Sequence, residues 1–204
     1  LPMPPPPWRV APYRGRESEM EMLAQLWLPI LVAAVLVFVA GFLSWMLLPF
    51  HKKEWKKLPD EDAFFADLKN RGIVPGRYMF PSYAGEDCKD PAFLERWKRG
   101  PHGTLTLWAK APNMVRNLAL SFVFYLVVGV FVAYLAGIAL DPGAEYLKVF
   151  QVTGVAAILA YVFGQIPYMI WFQRSFGGFV LAVFDGVVYG LLTAGAFAGF
   201  WPAA

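Results

Sequence analysis

The sequence has a single cysteine, only two histidines and few charged side chains. Cys88 has no partner for an internal disulfide, and no further Cys or His lies near it at the spacing of a metal site. His51 and His102 both lie outside the apolar runs, which excludes a cytochrome that holds haem between helices by histidine pairs. A haem or pigment bound by His51 near the membrane surface stays open.

Signatures of common enzyme classes are missing as well. No glycine-rich phosphate loop follows a strand, no nucleophile elbow occurs, and no carboxylate pair has the spacing of a glycosidase or a metal site. The basic residues alternate with acids and lie close to the apolar runs, unlike a nucleic-acid interface. We therefore predict no catalytic residue, no metal, no cofactor and no nucleic-acid partner, and we expect that the chain is not an enzyme.

What the sequence has in abundance is apolar residues. The 204 residues are 58% hydrophobic and only 16% charged, which is not the composition of a soluble domain. Four apolar runs have about the ~20 residues that a helix needs to cross the hydrocarbon of a bilayer. We predict an all-α membrane protein with four transmembrane helices, at 26–50, 115–140, 147–172 and 179–201.

The segments outside these runs set the expected orientation. Residues 51–114 begin with a cluster of lysines, so the positive-inside rule predicts that they are cytoplasmic and that both termini are periplasmic, in a bacterial inner membrane. Residues 1–25 are rich in proline at first and predict an extended tail. Trp8 and Tyr13 in this tail favour contact with a partner protein or with the membrane interface.

The cytoplasmic insertion between the first and second spans has the punctuation of a folded unit. Asp60 is placed to cap a helix over 61–69, and Asp90 with Pro91 and Gly100 brackets a second helix. The stretches GRYMFP and GTLTLWAK have the residue pattern of short strands. We predict a small α+β cap over 51–114.

A polybasic run follows the first span directly. Such a run attracts anionic lipid headgroups, and it also acts as a topology determinant. The predicted headgroup and interface residues are His51, Lys52, Lys53, Trp55, Lys56 and Lys57.

One carboxylate, Asp185, lies inside the fourth run. If the third and fourth spans form a hairpin about position 175, Gln165 is level with Asp185 and Tyr168 is within one turn, so we predict a polar cluster of these three residues. An ionisable group within a span is a functional hypothesis, because its burial costs about 2.5–3.5 kcal/mol. The alternative is a structural role, in which Asp185 pins the hairpin or contacts another subunit.

Small residues recur at four-residue spacing in the second, third and fourth runs. Such rows allow helices to approach closely, within one chain or between chains. The predicted packing residues are Gly129, Ala133, Gly137, Ala160, Gly164, Gly186, Gly190, Gly195 and Gly199.

Five stretches together resemble a family of uncharacterised bacterial four-span membrane proteins. They are HKKEWKKLPDED at 51–62, PGRYMFP at 75–81, GP at 100–101, PGAEYLKVF at 142–150 and DGVVYGLLTAG at 185–195. The resemblance covers about 27–202 and omits the proline-rich tail. It implies a topology of four spans and no established activity.

Three functional hypotheses follow from these patterns. The leading one is a non-catalytic accessory subunit of a larger respiratory or photosynthetic membrane complex, whose partners are other integral membrane subunits and anionic lipids. The alternative is a small oligomeric transporter or proton-coupled channel that uses Asp185. The third, an enzyme that acts on lipid, would need His51 or His102 as a catalytic group at the headgroup level.

Overall fold

A computed structural model describes residue 21 and residues 24–85, 88–172 and 175–204. Within these ranges the chain is mostly helical, with one small sheet. The elements are α1 (Trp27–Phe42), α2 (Glu61–Asn70), β1 (Gly76–Phe80), α3 (Pro91–Arg99), β2 (Gly103–Leu107), α4 (Met114–Ala139), α5 (Tyr146–Val162), α6 (Ile166–Phe172) and α7 (Phe176–Gly199).

Four helical segments of the described chain are long and apolar enough to cross a membrane. They cover Trp27–Leu47, Met114–Ala139, Tyr146–Phe172 and Phe176–Gly199, within a few residues of the predicted runs. The first ends earlier than predicted because Pro49 disfavours helical geometry in the residue before it. The prediction of four long apolar helices is confirmed.

These helices pack in a ring. Helix α7 lies along both α5 and α1, α1 also packs on α4, and α4 packs on α5. The buried centre is apolar and includes Val37, Val132, Val149 and Phe197. Large apolar side chains also cover the outside of the bundle, as expected of helices that are hydrophobic all round.

Two of the four helices are irregular near the same end of the bundle. Helix α1 continues into a π-helical turn, Leu43–Leu47, which is closed by the bond from Leu48 N–H to the Leu43 carbonyl. Between α5 and α6 lies a 3-10 turn, Phe163–Gln165, after which Ile166 N–H donates to the Phe163 carbonyl. The usual donor to that carbonyl would be residue 167, which is a proline without an N–H.

The cap between α1 and α4 has the predicted elements. Asp60 accepts a hydrogen bond from Ala63 N–H at the start of α2, and Asp90 accepts one from Ala92 N–H at the start of α3. Strands β1 and β2 form a two-stranded antiparallel sheet. The cap contacts the bundle where the guanidinium of Arg77 lies over the ring of Phe172, 5.3 Å from its centroid.

The opposite end of the bundle is closed by backbone groups. Gly143 N–H donates to the Pro202 carbonyl at 2.8 Å, and the indole N–H of Trp201 donates to the Asp141 carbonyl at 3.0 Å. Gly143 has a φ of +77°, which a residue with a side chain rarely adopts. These contacts hold the residues after α7 against the turn between α4 and α5.

The predicted packing residues divide into two groups. A methyl group built at Gly186 would lie 2.6 Å from Val162 Cγ2, one at Gly129 would lie 3.0 Å from Ile30 Cγ2, and one at Gly190 would overlap Ile158. These three glycines mark close approach of helices within the chain. Of the remaining predicted residues, Ala133 is buried, Gly137 is half-buried, Ala160 is exposed, and Gly164, Gly195 and Gly199 have no neighbour within 4 Å of such a methyl group.

Candidate functional site

Four polar side chains meet inside the bundle where α1 ends against α7. Asp185 of α7 accepts a hydrogen bond from the Ser44 hydroxyl, 2.8 Å from Oγ to Oδ1, and its Oδ2 lies 3.0 Å from His51 Nε2. The other ring nitrogen of His51, Nδ1, pairs with the carboxylate of Glu54. We call Ser44, His51, Glu54 and Asp185 the Asp185 cluster.

The backbone after α1 delivers His51 to this position. Pro49 ends the helical segment, and Phe50–Glu54 form a 3-10 turn in which residues three apart share a face. His51 and Glu54 are three apart, so both side chains turn toward α7. His51 is only 4% exposed, and its ring stacks on that of Trp45, with centroids 3.9 Å apart and planes 6° from parallel.

Glu54 also lies against the beginning of α7. Ser175 caps this helix by accepting a hydrogen bond from Gly178 N–H. A methyl group built at Gly178 would lie 2.5 Å from Glu54 Oε2, so a side chain at this position would displace the carboxylate. A helix N-terminus carries partial positive charge, which stabilises an anion placed there.

The cluster is a continuous chain of side chains in hydrogen-bond contact, three of which can gain or lose a proton. Imidazole can take up a proton at one ring nitrogen and release one from the other, and here each nitrogen faces a different carboxylate. Asp185 is 7% exposed, and a buried carboxylate without partners would be strongly destabilising. Its contacts with Ser44 and His51 stabilise it while leaving lone pairs free, because a carboxylate has about four acceptor sites.

The geometry of these residues does not favour Ser44 as a catalytic nucleophile. Ser44 Oγ is 3.4 Å from His51 Nε2, but its hydroxyl proton is donated to Asp185, and Ser44 is itself buried. A serine that attacks substrate must donate its proton to the base and be accessible. No group of three His, Cys, Asp or Glu side chains within the described ranges could hold a metal ion.

Asp185 also faces a cavity of about 270 Å³ within the bundle. All four long helical segments contribute to its wall, including both irregular turns. The lining residues are Trp45, Phe124, Tyr125, Ala160, Tyr161, Gly164, Gln165, Ala182, Asp185, Gly186 and Tyr189. Irregular backbone within apolar helices is tolerated where it lines a cavity, and both turns fit that rule.

Three tyrosines on different helices meet beside the cavity. Tyr125, Tyr161 and Tyr189 form three edge-to-face pairs, with ring centroids 5.7 to 6.2 Å apart. A methyl group built at Gly41 of α1 would lie 3.1 Å from the Tyr189 hydroxyl oxygen and 3.3 Å from that of Tyr125. Gly41 therefore makes room for both hydroxyl groups.

The structure places the predicted partners of Asp185 differently from one another. Gln165 lines the same cavity, and its amide donates to the Tyr161 carbonyl at 3.1 Å. Tyr168 is half exposed and packs on Phe172, away from the cavity lining. Gln165 and Asp185 are therefore brought to one cavity, whereas Tyr168 is not.

His51 differs most from its expected place. His51 is predicted to lie in a belt at the headgroup level, but the 3-10 turn buries it inside the bundle against Asp185. Trp55 is 74% exposed, and the predicted headgroup lysines, Lys52, Lys53, Lys56 and Lys57, are exposed too. The signal for His51 was Pro49, because a span that ends at a proline allows the next residues to fold back under it.

His102 lies at a second cavity. This cavity of about 470 Å³ lies between the cap and α6, and His102 is exposed there beside Trp97, 5.2 Å between ring centroids. The remaining lining is mostly apolar and aromatic, including Phe80 and Trp171. No carboxylate of the described lining faces His102, so this cavity has no acid-base pair.

The predicted partner-binding residues of the tail lie outside the described residues. Trp8 and Tyr13 belong to the range 1–20, so the partner-binding role of the tail stays a prediction.

In comparisons with known proteins, no family model, curated protein or solved structure matches this chain. The resemblance to uncharacterised four-span proteins therefore also stays a prediction.

Proposed function

We propose that this chain is a multi-pass protein of the bacterial inner membrane that moves protons through its bundle. The observation that carries the proposal is the contact of the half-buried Glu54 with the buried His51 and Asp185, which ends at a cavity within the bundle. An ionisable group within a span, as Asp185 is, is costly to bury, which makes it a functional candidate.

Insertion in a membrane is supported by the outer surface of the helices. Val130, Phe131, Leu135 and Ile138 are among many large apolar side chains exposed on the bundle. An apolar surface of this extent would be unstable in water and is stable against lipid chains. The exposed Lys52, which begins the polybasic run, supports a cytoplasmic cap and contact with anionic headgroups.

The relay works by the two nitrogens of one imidazole. A proton on the Glu54 carboxyl passes to His51 Nδ1, and the proton on Nε2 passes to Asp185 Oδ2, so that each transfer breaks one bond to hydrogen and forms another. Asp185 then holds the proton beside the cavity. Movement in the opposite direction uses the same bonds, so the gradient sets the direction.

The test is proton flux in vesicles. Purified full-length chain is reconstituted with a pH-sensitive dye inside, and a potassium gradient with valinomycin drives protons inward. We expect wild type to acidify the vesicles and Asp185→Asn to remain at the rate of protein-free vesicles, with equal incorporation. Asp67→Asn is the matched control, because the Asp67 carboxylate belongs to an exposed ion pair with Arg71. This variant should behave as wild type. Equal flux in wild type and Asp185→Asn would overturn the proposal.

A second candidate, the accessory subunit of a larger membrane complex, is favoured by one observation. Gly195 and Gly199 have the spacing of a helix-packing face, and a methyl group built at either would meet no atom of the described residues within 4 Å. On this view Asp185 only fastens α7 to α1. Asp185→Asn would then lower abundance or assembly, and wild type would show no flux of its own.

A further inference from the structure

The charge of the lining residues and the volume of the cavity limit the kind of solute that it can bind. Of the eleven described residues that line it, Asp185 is the only one with a carboxyl group, and no Lys, Arg or His is among them. A solute with positive charge is therefore stabilised there, and an anion is repelled. The volume of about 270 Å³ lies just below the range of roughly 300–1,000 Å³ for drug-sized ligands, so the solute is small.

Aromatic rings make up much of the remaining wall. Trp45, Tyr125, Tyr161 and Tyr189 come from three different helices and the π-helical turn, and Phe124 adds a fifth ring. The face of an aromatic ring attracts a cation, and rings grouped around one space are the usual way in which proteins bind substituted ammonium groups. A metal ion would instead require several oxygen, nitrogen or sulfur ligands.

We infer that this cavity binds a small organic monocation, a substituted ammonium, with Asp185 as its counter-ion and the aromatic rings around its alkyl groups. The inference rests on the proposed function, since it names the solute that shares Asp185 with the proton. Binding the cation and binding the proton both neutralise the same carboxylate. The two therefore exclude one another, so a bound cation occupies the site that the proton needs.

The surroundings of Asp185 are compatible with this competition. On its own helix Tyr189 lies one turn away, the π-helical turn supplies Ser44, and the 3-10 turn supplies His51 with Glu54 behind it. Helices α4 and α5 supply Tyr125 and Tyr161. Among these described groups His51 is the only one able to carry positive charge, and it reaches Asp185 from the side of the 3-10 turn.

The cavity is reached from the flank of the bundle. Phe124, Ala160 and Gly164 line it and are exposed, and a methyl group built at Gly164 would meet no atom within 4 Å. Helices interrupted beside a cavity, here at Leu43–Leu47 and Phe163–Gln165, are typical of binding sites within membranes.

The experiment is calorimetric titration of the purified full-length chain in detergent with choline and with its neutral isostere, 3,3-dimethyl-1-butanol. We expect choline to bind and the isostere to bind at least roughly 10-fold more weakly. Asp185→Asn should remove this preference for the charged ligand. Tyr161→Leu should weaken choline binding by roughly 2- to 30-fold, the range for one cation–π contact, while Tyr161→Phe keeps the ring and the affinity.

The control is Tyr134→Leu, at an exposed position of α4 that does not line the cavity; it should bind as wild type. Two results would overturn the inference. One is equal binding of choline and the isostere by the wild-type chain, and the other is no binding of choline by a wild-type preparation that melting shows to be folded. Proton flux without choline binding would leave the proposed function standing and remove the cation. Choline binding without proton flux would keep the cation site and overturn the proposed function.

Discussion

The two ends of the helix bundle are closed in different ways. At the end near Trp201, the contacts described run to backbone carbonyls, from Gly143 N–H to Pro202 and from the Trp201 indole to Asp141. At the end near His51, the contacts join titratable side chains of separate elements. The first kind of closure has the same hydrogen bonds at any pH, whereas the second changes whenever a proton is gained or lost.

Polar residues in the core show the same contrast. Thr153 and Thr193 are fully buried, but each hydroxyl donates to a carbonyl four residues earlier in its own helix. Their hydrogen bonds need no second element. Asp185 is bonded only across elements among the contacts described, to Ser44 and His51. Polar groups of the first type tolerate burial within their own helix. Groups of the second type make one end of the bundle sensitive to the gain or loss of a proton.

The largest effect is expected from removing the carboxylate altogether. Asp185→Leu leaves Ser44 and His51 buried without their acceptor, which typically costs about 3–5 kcal/mol for a broken buried pair. Trp201→Phe at the other end loses one hydrogen bond, a net cost of about 0.5–1.5 kcal/mol. Thermal unfolding in a mild detergent measures both. A smaller loss for Asp185→Leu than for Trp201→Phe would contradict the contrast between the two ends.

An intermediate effect is expected from a methyl group added along α7. Gly186→Ala places its Cβ 2.6 Å from Val162 Cγ2 and close to the Tyr161 backbone, so α7 and α5 must separate. Such overpacking costs about 1–3 kcal/mol. Gly195→Ala meets nothing within 4 Å and should be neutral or stabilising by about 0.5–1 kcal/mol. Equal melting temperatures for the two variants would mean that the helices do not approach closely at Gly186.

The smallest effect is expected at the start of α7. Gly177→Ala and Gly178→Ala are neighbours in one helical turn, and each gains helix propensity of up to about 1 kcal/mol. Only the Cβ at position 178 would displace the Glu54 carboxylate. We expect Gly177→Ala to be stabilising, and Gly178→Ala to lose that gain and to slow proton flux. Identical proton flux in the two variants would mean that Glu54 takes no part in the relay.

Much of the fold follows from patterns local in the sequence. The caps at Asp60 and Asp90 and the four apolar runs depend on neighbouring residues, and each prediction matches an observed element within a few positions. The pairing of Asp185 was harder to predict. A hairpin argument relates α7 only to the helix before it, and it correctly brought Gln165 to the same cavity.

His51 is 134 positions from Asp185 in the chain, and their contact depends on two features that hydropathy does not encode. One is the packing of α1 against α7, which sets the neighbour. The other is the fold-back after Pro49, which moves His51 from the expected interface to the interior. The division of the small residues has a similar cause, because four-residue spacing identifies a close-packing face without identifying what lies on it.

The most direct test of the account is whether Asp185 takes up a proton. Infrared difference spectra of the full-length chain in lipid bilayers, recorded between acidic and alkaline pH, report protonated carboxyl groups by their C=O stretch. We predict a component that is absent in Asp185→Asn and retained in Gly177→Ala. Difference spectra in which wild type and Asp185→Asn coincide would contradict the central claim, since Asp185 would then keep one protonation state throughout.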